Sequence, residues 1–278
     1  MTSVIAWISA DKRRPTGLYF ATDSRRTVEL PDKTVHFYDN FVKAFASEST
    51  NEIFAFAGDA TFPPAALDKV CAMLEGNAPT VNRMEPIVRS SMVFRSLQDD
   101  FNALNIKPTY AFCILHGTRS GANFKAKFHL FKYSYRIGGN YLERETLNIK
   151  EGYSIALEVL GTGTNTVETT ITTETKLLGN VSRVQFSAFC AAVQGNAVKP
   201  DKFSGGPIQL VGILSICNAV HMGVVTPSGT YFRGGTKLPP FPENIYWRNT
   251  QFKNVDVKGE PRKGACKASG VGKCLKDE

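Results

Sequence analysis

No stretch of this chain approaches the roughly 18 consecutive apolar residues of a membrane-spanning helix. The first residues lack a basic segment ahead of an apolar run, so they do not read as a secretory signal. Histidine is scarce: His36, His116, His129 and His221 are scattered and form no HxxxH pair. Six cysteines are present, but none falls in a CxxC, and Cys266 and Cys274 are separated by seven residues with no histidine nearby. That spacing argues against a zinc site, and neither a metal nor a cofactor is expected. Cys113, Cys190 and Cys217 sit among apolar neighbours and read as small buried residues of a reducing, cytoplasmic compartment. The net charge is +8, yet no basic stretch is interleaved with aromatics. A moderately basic surface is therefore the plainer reading, and nucleic acid is not favoured as a partner. Gly270-Val-Gly-Lys-Cys274 falls short of a phosphate loop, because Lys267 takes the first glycine position and Cys274 replaces the hydroxyl residue.

What is present is enough to build one large core: 278 residues, 42% of them hydrophobic. Short β-branched or apolar runs at Val4–Ile8, Leu18–Asp23, Phe41–Ala46 and Ile53–Ala57 read as strands. Pro15 and Gly17 mark a turn between the first two, and Ser24 to Asn40 reads as a polar loop. Helical spacing follows over Pro64–Glu75 and Pro86–Leu104, then strands at Thr109–Leu115, Lys127–Tyr133 and Ser154–Leu160. Thr164–Leu178 is expected to be helical despite its threonines, with Asn165 and Glu168 spaced as a cap and its partner. Val184–Val193 is a second helix, and Ile208–Ile216, Ala219–Val225 and Thr230–Phe232 complete the strands. Strands, two helices, strands, two helices, strands is an α+β order that suits a four-layer αββα sandwich over residues 1–238, although order alone allows other α+β folds. From Pro239 the composition shifts: residues 239–278 hold eight Lys or Arg against five Asp or Glu. This reads as a basic C-terminal extension, with Gly259–Glu278 as a flexible tail.

The chemistry lies in a set of short motifs. Thr2 follows the initiating methionine, and a small second residue favours removal of Met1. A first-residue threonine carries a hydroxyl nucleophile and a free α-amine base on one residue. Downstream come Ala21-Thr22-Asp23-Ser24-Arg25, Lys43, Gly161-Thr162-Gly163 and Asp201-Lys202-Phe203-Ser204-Gly205-Gly206. A cation beside the amine favours its neutral, proton-accepting form, and Lys43 is the candidate, held in place by Asp23. Each motif alone is commonplace. Their order and placement, from strand start to late loop, fit one acyl-transfer mechanism.

Taken together they resemble the proteasome β-subunit and HslV family of N-terminal-nucleophile threonine hydrolases over roughly Thr2 to Gly235. The resemblance implies catalytic roles for Thr2, Asp23, Lys43, Thr162, Asp201 and Ser204. Thr162 stands where the family usually has serine. It implies an oxyanion donor at the backbone of Ala55, where the family has glycine, and substrate contacts from Arg26, Thr27, Ile53 and Ala57. Ile53 and Ala57 point to an apolar side chain beside the scissile bond. The implied activity is peptide hydrolysis inside a homo-oligomeric ring, with protein or peptide as substrate and an ATP-dependent unfoldase as partner. A non-proteolytic amidase and a catalytically silent ring subunit are the alternatives.

Overall fold

A computed structural model of the chain describes residues 2–11, 14–30, 32–149, 153–179, 181–195, 201, 203–231 and 245–262. In chain order the first elements are β1 (Ser3–Ala10), β2 (Pro15–Thr22), β3 (Arg26–Glu29), β4 (Val35–Tyr38), β5 (Ala44–Ser47) and β6 (Glu52–Gly58). Three helices follow, α1 (Pro63–Gly76), α2 (Ala78–Val81) and α3 (Pro86–Asn102). Then come β7 (Phe112–Ser120), β8 (Lys127–Tyr135), β9 (Glu143–Leu147) and β10 (Ile155–Gly161), and helices α4 (Thr164–Leu178) and α5 (Ser182–Val193). The last strands are β11 (Gln209–Leu214), β12 (Ala219–Thr226), β13 (Gly229–Tyr231), β14 (Tyr246–Asn249) and β15 (Asn254–Val255).

The architecture is α+β, with two large sheets. One runs β10-β1-β2-β11-β12-β14-β15, with β13 paired to β12. The other runs β5-β6-β7-β8-β9, and β3-β4 forms a separate hairpin. Alternation along the strands builds three cores. Val4, Ala6, Ile8, Leu18 and Phe20 of the first sheet meet Ala44, Ile53, Ala55 and Leu115 of the second. On the far side of the first sheet, Ile5, Trp7, Tyr19 and Leu210 pack against Val167, Phe186 and Phe189 of α4 and α5. On the far side of the second, Phe54, Phe56, Ile114 and Tyr133 pack against Leu67, Val70, Val93 and Leu97 of α1 and α3. Because both faces of each sheet are covered, β1 is buried along its whole length.

Several expected boundaries shift. The stretch Ser24–Asn40, expected as loop, contains the β3–β4 hairpin. Helix α4 matches its expected bounds, but Gly163 is its N-cap and no side chain caps it, so Asn165 and Glu168 do not form a capping pair. The extension expected from 239 is not separate. Tyr246–Asn249 adds to the first sheet parallel to β12, and Trp247 covers Gly223, where a Cβ would lie 1.9 Å from the indole. Phe252 joins the Trp7 and Tyr19 rings at centroid distances of 5.4 and 5.0 Å. Three aromatic contacts of this kind explain why a polar-looking segment stays folded on the sheet. Most of the expected tail, 263–278, lies outside the described residues, as do Met1 and Phe232.

The second sheet also carries a buried polar cluster that the apolar pattern hid. Glu52 accepts hydrogen bonds from Arg89 (2.5 Å) and Thr118 (2.7 Å) and meets His116, whose other ring nitrogen lies 2.7 Å from the Tyr133 hydroxyl. All of these side chains are buried, and Arg89 fastens α3 to the sheet through the carbonyl of Arg119.

Candidate functional site

The site is built where β1 begins. Antiparallel pairing places the end of β10 and the end of β2 on either side of it: Ser3 opposes Gly161, and Val4 opposes both Leu160 and Thr22. Thr2 is buried, 2% exposed, and its carbonyl accepts the N–H of Thr162 at 3.1 Å. Thr2 precedes Val4, Ala6 and Ile8 in the alternation that faces the second sheet.

Asp23 follows β2 and turns back onto β1. Its carboxylate accepts the Lys43 ammonium at 2.8 Å, the Ser3 N–H at 3.0 Å, and the Arg25 and Gly205 N–H groups at 3.2 Å each. Asp23 is 0% and Lys43 1% exposed. Burial pushes Asp23 above the ordinary carboxylate range, with the Lys43 charge as the main counterweight. Burial pushes the Lys43 ammonium below the ordinary lysine range, opposed chiefly by Asp23. Four donors around the Asp23 carboxylate oppose that burial, as Asp23 opposes it for the Lys43 ammonium.

Lys43 is fixed at its backbone as well. Gln209, at the start of β11, accepts the N–H groups of Lys43 (3.0 Å) and Ala44 (3.2 Å) on its side-chain oxygen. Its amide nitrogen donates to the Phe41 carbonyl (2.7 Å) and the Ser24 hydroxyl (3.1 Å). The Ser24 hydroxyl in turn donates to the Pro207 carbonyl. All four hydrogen-bonding positions of the Gln209 amide are filled, and they tie the two sheets together at Lys43.

The late loop supplies the other half. Asp201 accepts the hydroxyls of Thr162 (2.6 Å) and Ser204 (2.7 Å) on one oxygen and the Phe203 N–H (3.1 Å) on the other. Ser204 also lies 2.5 Å from the Ser3 hydroxyl. Thr162 thus supplies its hydroxyl to Asp201. The two glycines after Ser204 make room for an ion pair: a Cβ on Gly205 would sit 2.4 Å from the Arg25 guanidinium carbon, and one on Gly206 would sit 2.8 Å from Asp39 Cβ. Arg25 grips Asp39 with two bonds of 2.7 and 2.8 Å and lies over the Phe37 ring.

The structure therefore brings Thr2, Asp23, Lys43, Thr162, Asp201 and Ser204 to one end of the sheets. It does not bring every expected residue there. Ile53 packs deep between the sheets: a Cβ on its partner Gly117 would touch Leu18 (2.7 Å), Ile53 (2.9 Å) and Phe20 (2.9 Å). Leu18 opposes Ile8, six residues along β1 from Thr2, which at about 3.3 Å per residue is roughly 20 Å away. Ile53 is a core residue rather than a cleft residue. Ala57, 4% exposed, lies nearer the site end of β6. Arg26 is exposed, with its guanidinium 5.2 Å from the Phe41 ring centre, and the Thr27 hydroxyl is buried without a hydrogen-bond partner.

Ala55 is also displaced from its expected role. Phe56 donates its N–H to the Lys43 carbonyl at 3.3 Å. Strand N–H groups alternate sides, so the Ala55 N–H points the other way, into the ladder with Leu115 of β7. The next N–H on the Lys43 side is that of Gly58, beyond the first residue of β5. Gly58 has φ +103, and a Cβ there would lie 2.2 Å from the Ala111 carbonyl oxygen. The sequence signal was available: a glycine closing a β-run marks a position no side chain fits. Gln209 and Ser3 gave no such signal, being one polar residue at the head of an apolar strand and one serine in a strand.

A cavity of about 640 Å³ opens beside the late loop, lined by Arg25, Asp39, Asp201, Ser204 and Tyr231 among others, and it excludes Thr2 and Lys43. Among the described residues, no helix is long and apolar enough to cross a membrane. The chain matches no protein-family model and no curated protein.

Proposed function

We propose that this chain is a threonine-type N-terminal-nucleophile peptidase of the proteasome β-subunit and HslV kind, active once Met1 is removed. The observation that carries the reading is the buried Lys43–Asp23 pair at 2.8 Å, anchored to the Ser3 N–H one residue from Thr2. Burying two charges is costly even when they are paired, strongly perturbed buried pairs cluster at functional sites, and this one is tied to the residue next to Thr2. Thr2 leads into the strand whose Val4, Ala6 and Ile8 pack against the second sheet, and a four-layer αββα arrangement of these cores is consistent with the same reading.

In this mechanism the Thr2 hydroxyl oxygen attacks the peptide carbonyl carbon, and the α-amine accepts the hydroxyl proton. Lys43 keeps that amine neutral beforehand and offsets the negative charge that develops on the threonine oxygen. The Gly58 N–H is the candidate donor to the carbonyl oxygen as it becomes an oxyanion. Collapse breaks the C–N bond. The amine returns its proton to the leaving nitrogen, and an ester remains on Thr2. Water, deprotonated by the same amine, hydrolyses the ester and frees the hydroxyl. Assembly into a ring belongs to the same proposal: Leu30, Val35, Phe37 and Tyr38 of the β3–β4 hairpin are exposed in the single chain and are surfaces that a neighbouring copy would cover.

The deciding experiment is intact mass after treatment with a peptide epoxyketone, followed by N-terminal peptide mapping. Loss of Met1 with a single adduct at Thr2, absent in Thr2→Ala, is the expected result. A retained Met1 with no adduct would replace this reading with that of a silent subunit. An adduct without turnover of any peptide would point to a small-amide substrate.

A further inference from the structure

We propose that Asp59 is a positioning residue that holds the Gly58 N–H in place as the oxyanion donor. The inference rests on the reading of Thr2 as nucleophile and of Gly58 as that donor. It starts from where the strand pairing stops. On the Lys43 side of β6, Phe56 gives its N–H to the Lys43 carbonyl at 3.3 Å. Continued pairing would set Phe41 opposite Gly58, because Ala44 opposes Ala55. Phe41 turns away instead: its N–H donates to the Ser24 carbonyl at 3.0 Å, and its carbonyl accepts the Gln209 amide at 2.7 Å. Strand β5 begins only at Ala44, so the ladder on this side ends before Gly58.

Gly58 cannot hold itself. Its φ of +103 leaves the pleated strand conformation, and the Ala111 carbonyl leaves no room for a Cβ. The position therefore requires the one residue with no side chain to pin it and the widest backbone freedom. The next residue supplies the grip. Asp59 donates its N–H to the Ala111 carbonyl at 3.0 Å, one step beyond the Gly58–Phe112 pair that ends the ladder with β7. One of its carboxyl oxygens accepts the Tyr110 N–H at 3.1 Å. The other accepts the Thr61 N–H at 2.7 Å and the Thr61 hydroxyl. The loop that carries Tyr110 is itself tied to the second sheet, where the Tyr135 hydroxyl donates to the Pro108 carbonyl at 3.3 Å. Asp59 is buried, so it joins the end of β6, the start of β7 and the turn into α1 away from water.

The consequence is one of aim. A donor stabilises an oxyanion best when it is already oriented as the charge develops. Asp59 is joined to Gly58 by a single peptide bond, so the clamp acts on the donor residue with no intervening contact. Rotation about the Gly58 backbone would pull Asp59 off Ala111, Tyr110 and Thr61 together. Without the clamp a peptide still binds, but its developing oxyanion meets a donor that is free to swing. The loss then falls on the transition state and not on the bound substrate.

The test uses the full chain with Thr2 as its first residue, released from an N-terminal fusion by a protease that cuts before Thr2. For wild type and each variant, kcat and KM are measured on a fluorogenic peptide. Binding is measured for a peptide aldehyde and for the matching peptide alcohol. The Thr2 oxygen can add to the aldehyde carbon, with the hydroxyl proton passing to the former carbonyl oxygen, so the aldehyde reports on the oxyanion donor. The alcohol forms no such bond and reports on peptide binding alone. Asp59→Ala is expected to lower kcat roughly ten- to a hundredfold with KM unchanged. It is expected to weaken the aldehyde by a similar factor and leave the alcohol unchanged. Asp59→Asn keeps one acceptor oxygen and loses the other, so it should fall between, and it carries the test if Asp59→Ala does not fold. Unchanged kcat in the folded variants, or aldehyde and alcohol weakened equally, overturns the proposal while an active wild type leaves the peptidase reading standing. A wild type that hydrolyses no peptide and binds the aldehyde no tighter than the alcohol would sink the peptidase reading, and the role of Asp59 with it.

Discussion

A methyl group built on Gly161 would lie 1.6 Å from the carbonyl oxygen of Thr2. That oxygen also receives the Thr162 N–H at 3.1 Å, so the end of β10 closes directly onto the first peptide of the described chain. Gly161 has φ +99, a conformation that side chains rarely adopt. Gly161→Ala should therefore destabilise the protein by at least about 2 kcal/mol and misplace Thr2. Thermal unfolding together with epoxyketone labelling checks this. A variant that unfolds at the wild-type temperature and labels normally would show that the strand end can shift without cost.

The Lys43–Asp23 pair gives a sharper expectation. Lys43→Met leaves Asp23 buried with three backbone N–H donors and no cation. Removing one member of a buried pair typically costs about 3–5 kcal/mol. Asp23→Asn keeps two acceptor sites on one oxygen but loses the charge that holds the ammonium. Both variants should lose peptide hydrolysis by a factor of about 10³ or more. Lys43→Met should also label more slowly with the epoxyketone, because its Thr2 amine is more often protonated. Labelling at the wild-type rate in folded Lys43→Met would separate Lys43 from the chemistry.

Gln209 tests whether the backbone of Lys43 needs its own support. Gln209→Leu strands the N–H groups of Lys43 and Ala44 and the Phe41 carbonyl in a buried setting. Each unsatisfied group costs about 1–3 kcal/mol, so the sum is a clear loss in denaturant midpoint. Gln209→Glu keeps the acceptor and loses both donors, so it should fall between the two. The order wild type, Gln209→Glu, Gln209→Leu in urea unfolding is the expected outcome. Gln209→Leu equal to wild type would mean that water replaces the amide.

Much of this was legible before the fold was known, for reasons the residues make plain. Strands such as Val4–Ile8 and Leu18–Phe20 carry their burial in their own composition. The Asp23, Lys43 and Asp201–Gly206 motifs were visible because each pairs a charge or hydroxyl with a turn or strand end. The failures share a cause as well. Ile53 and Ala55 were placed by alignment to a pattern, but which way a strand amide points depends on pairing that no local window contains. The hairpin Arg26–Tyr38 was missed because its side chains are polar or exposed and no core marks its strands. Tyr246–Asn249 was missed because it joins the sheet through Trp247 over Gly223, a contact between residues 24 positions apart. Gln209 and Ser3 matter through what they touch across more than a hundred residues, Lys43 in one case and Ser204 in the other.

The Arg25–Asp39 pair sets a pH dependence with a definite sign. The Arg25 hydrogen bonds hold Asp39 below the ordinary carboxylate range. Its folded pKa is thus lower than its unfolded one, so the unfolded chain binds more protons as acid is added. The stability it contributes is present above about pH 4 and is lost as pH falls through the folded value. The Asp39 side chain is 41% exposed, and screening by solvent limits the contribution to about 1 kcal/mol or less. Asp39→Asn should unfold slightly below wild type at pH 7, and the two curves should converge as pH falls through the folded Asp39 value. Salt at about 0.5 M should narrow the gap at pH 7 for the same reason. Because Arg25 lies over Phe37, the loss should also loosen the β3–β4 hairpin, seen as faster hydrogen exchange at Thr27 and Phe37 in Asp39→Asn. A gap between the two proteins that stays constant from pH 7 to pH 3 would assign the effect of the substitution to packing, not to the ion pair.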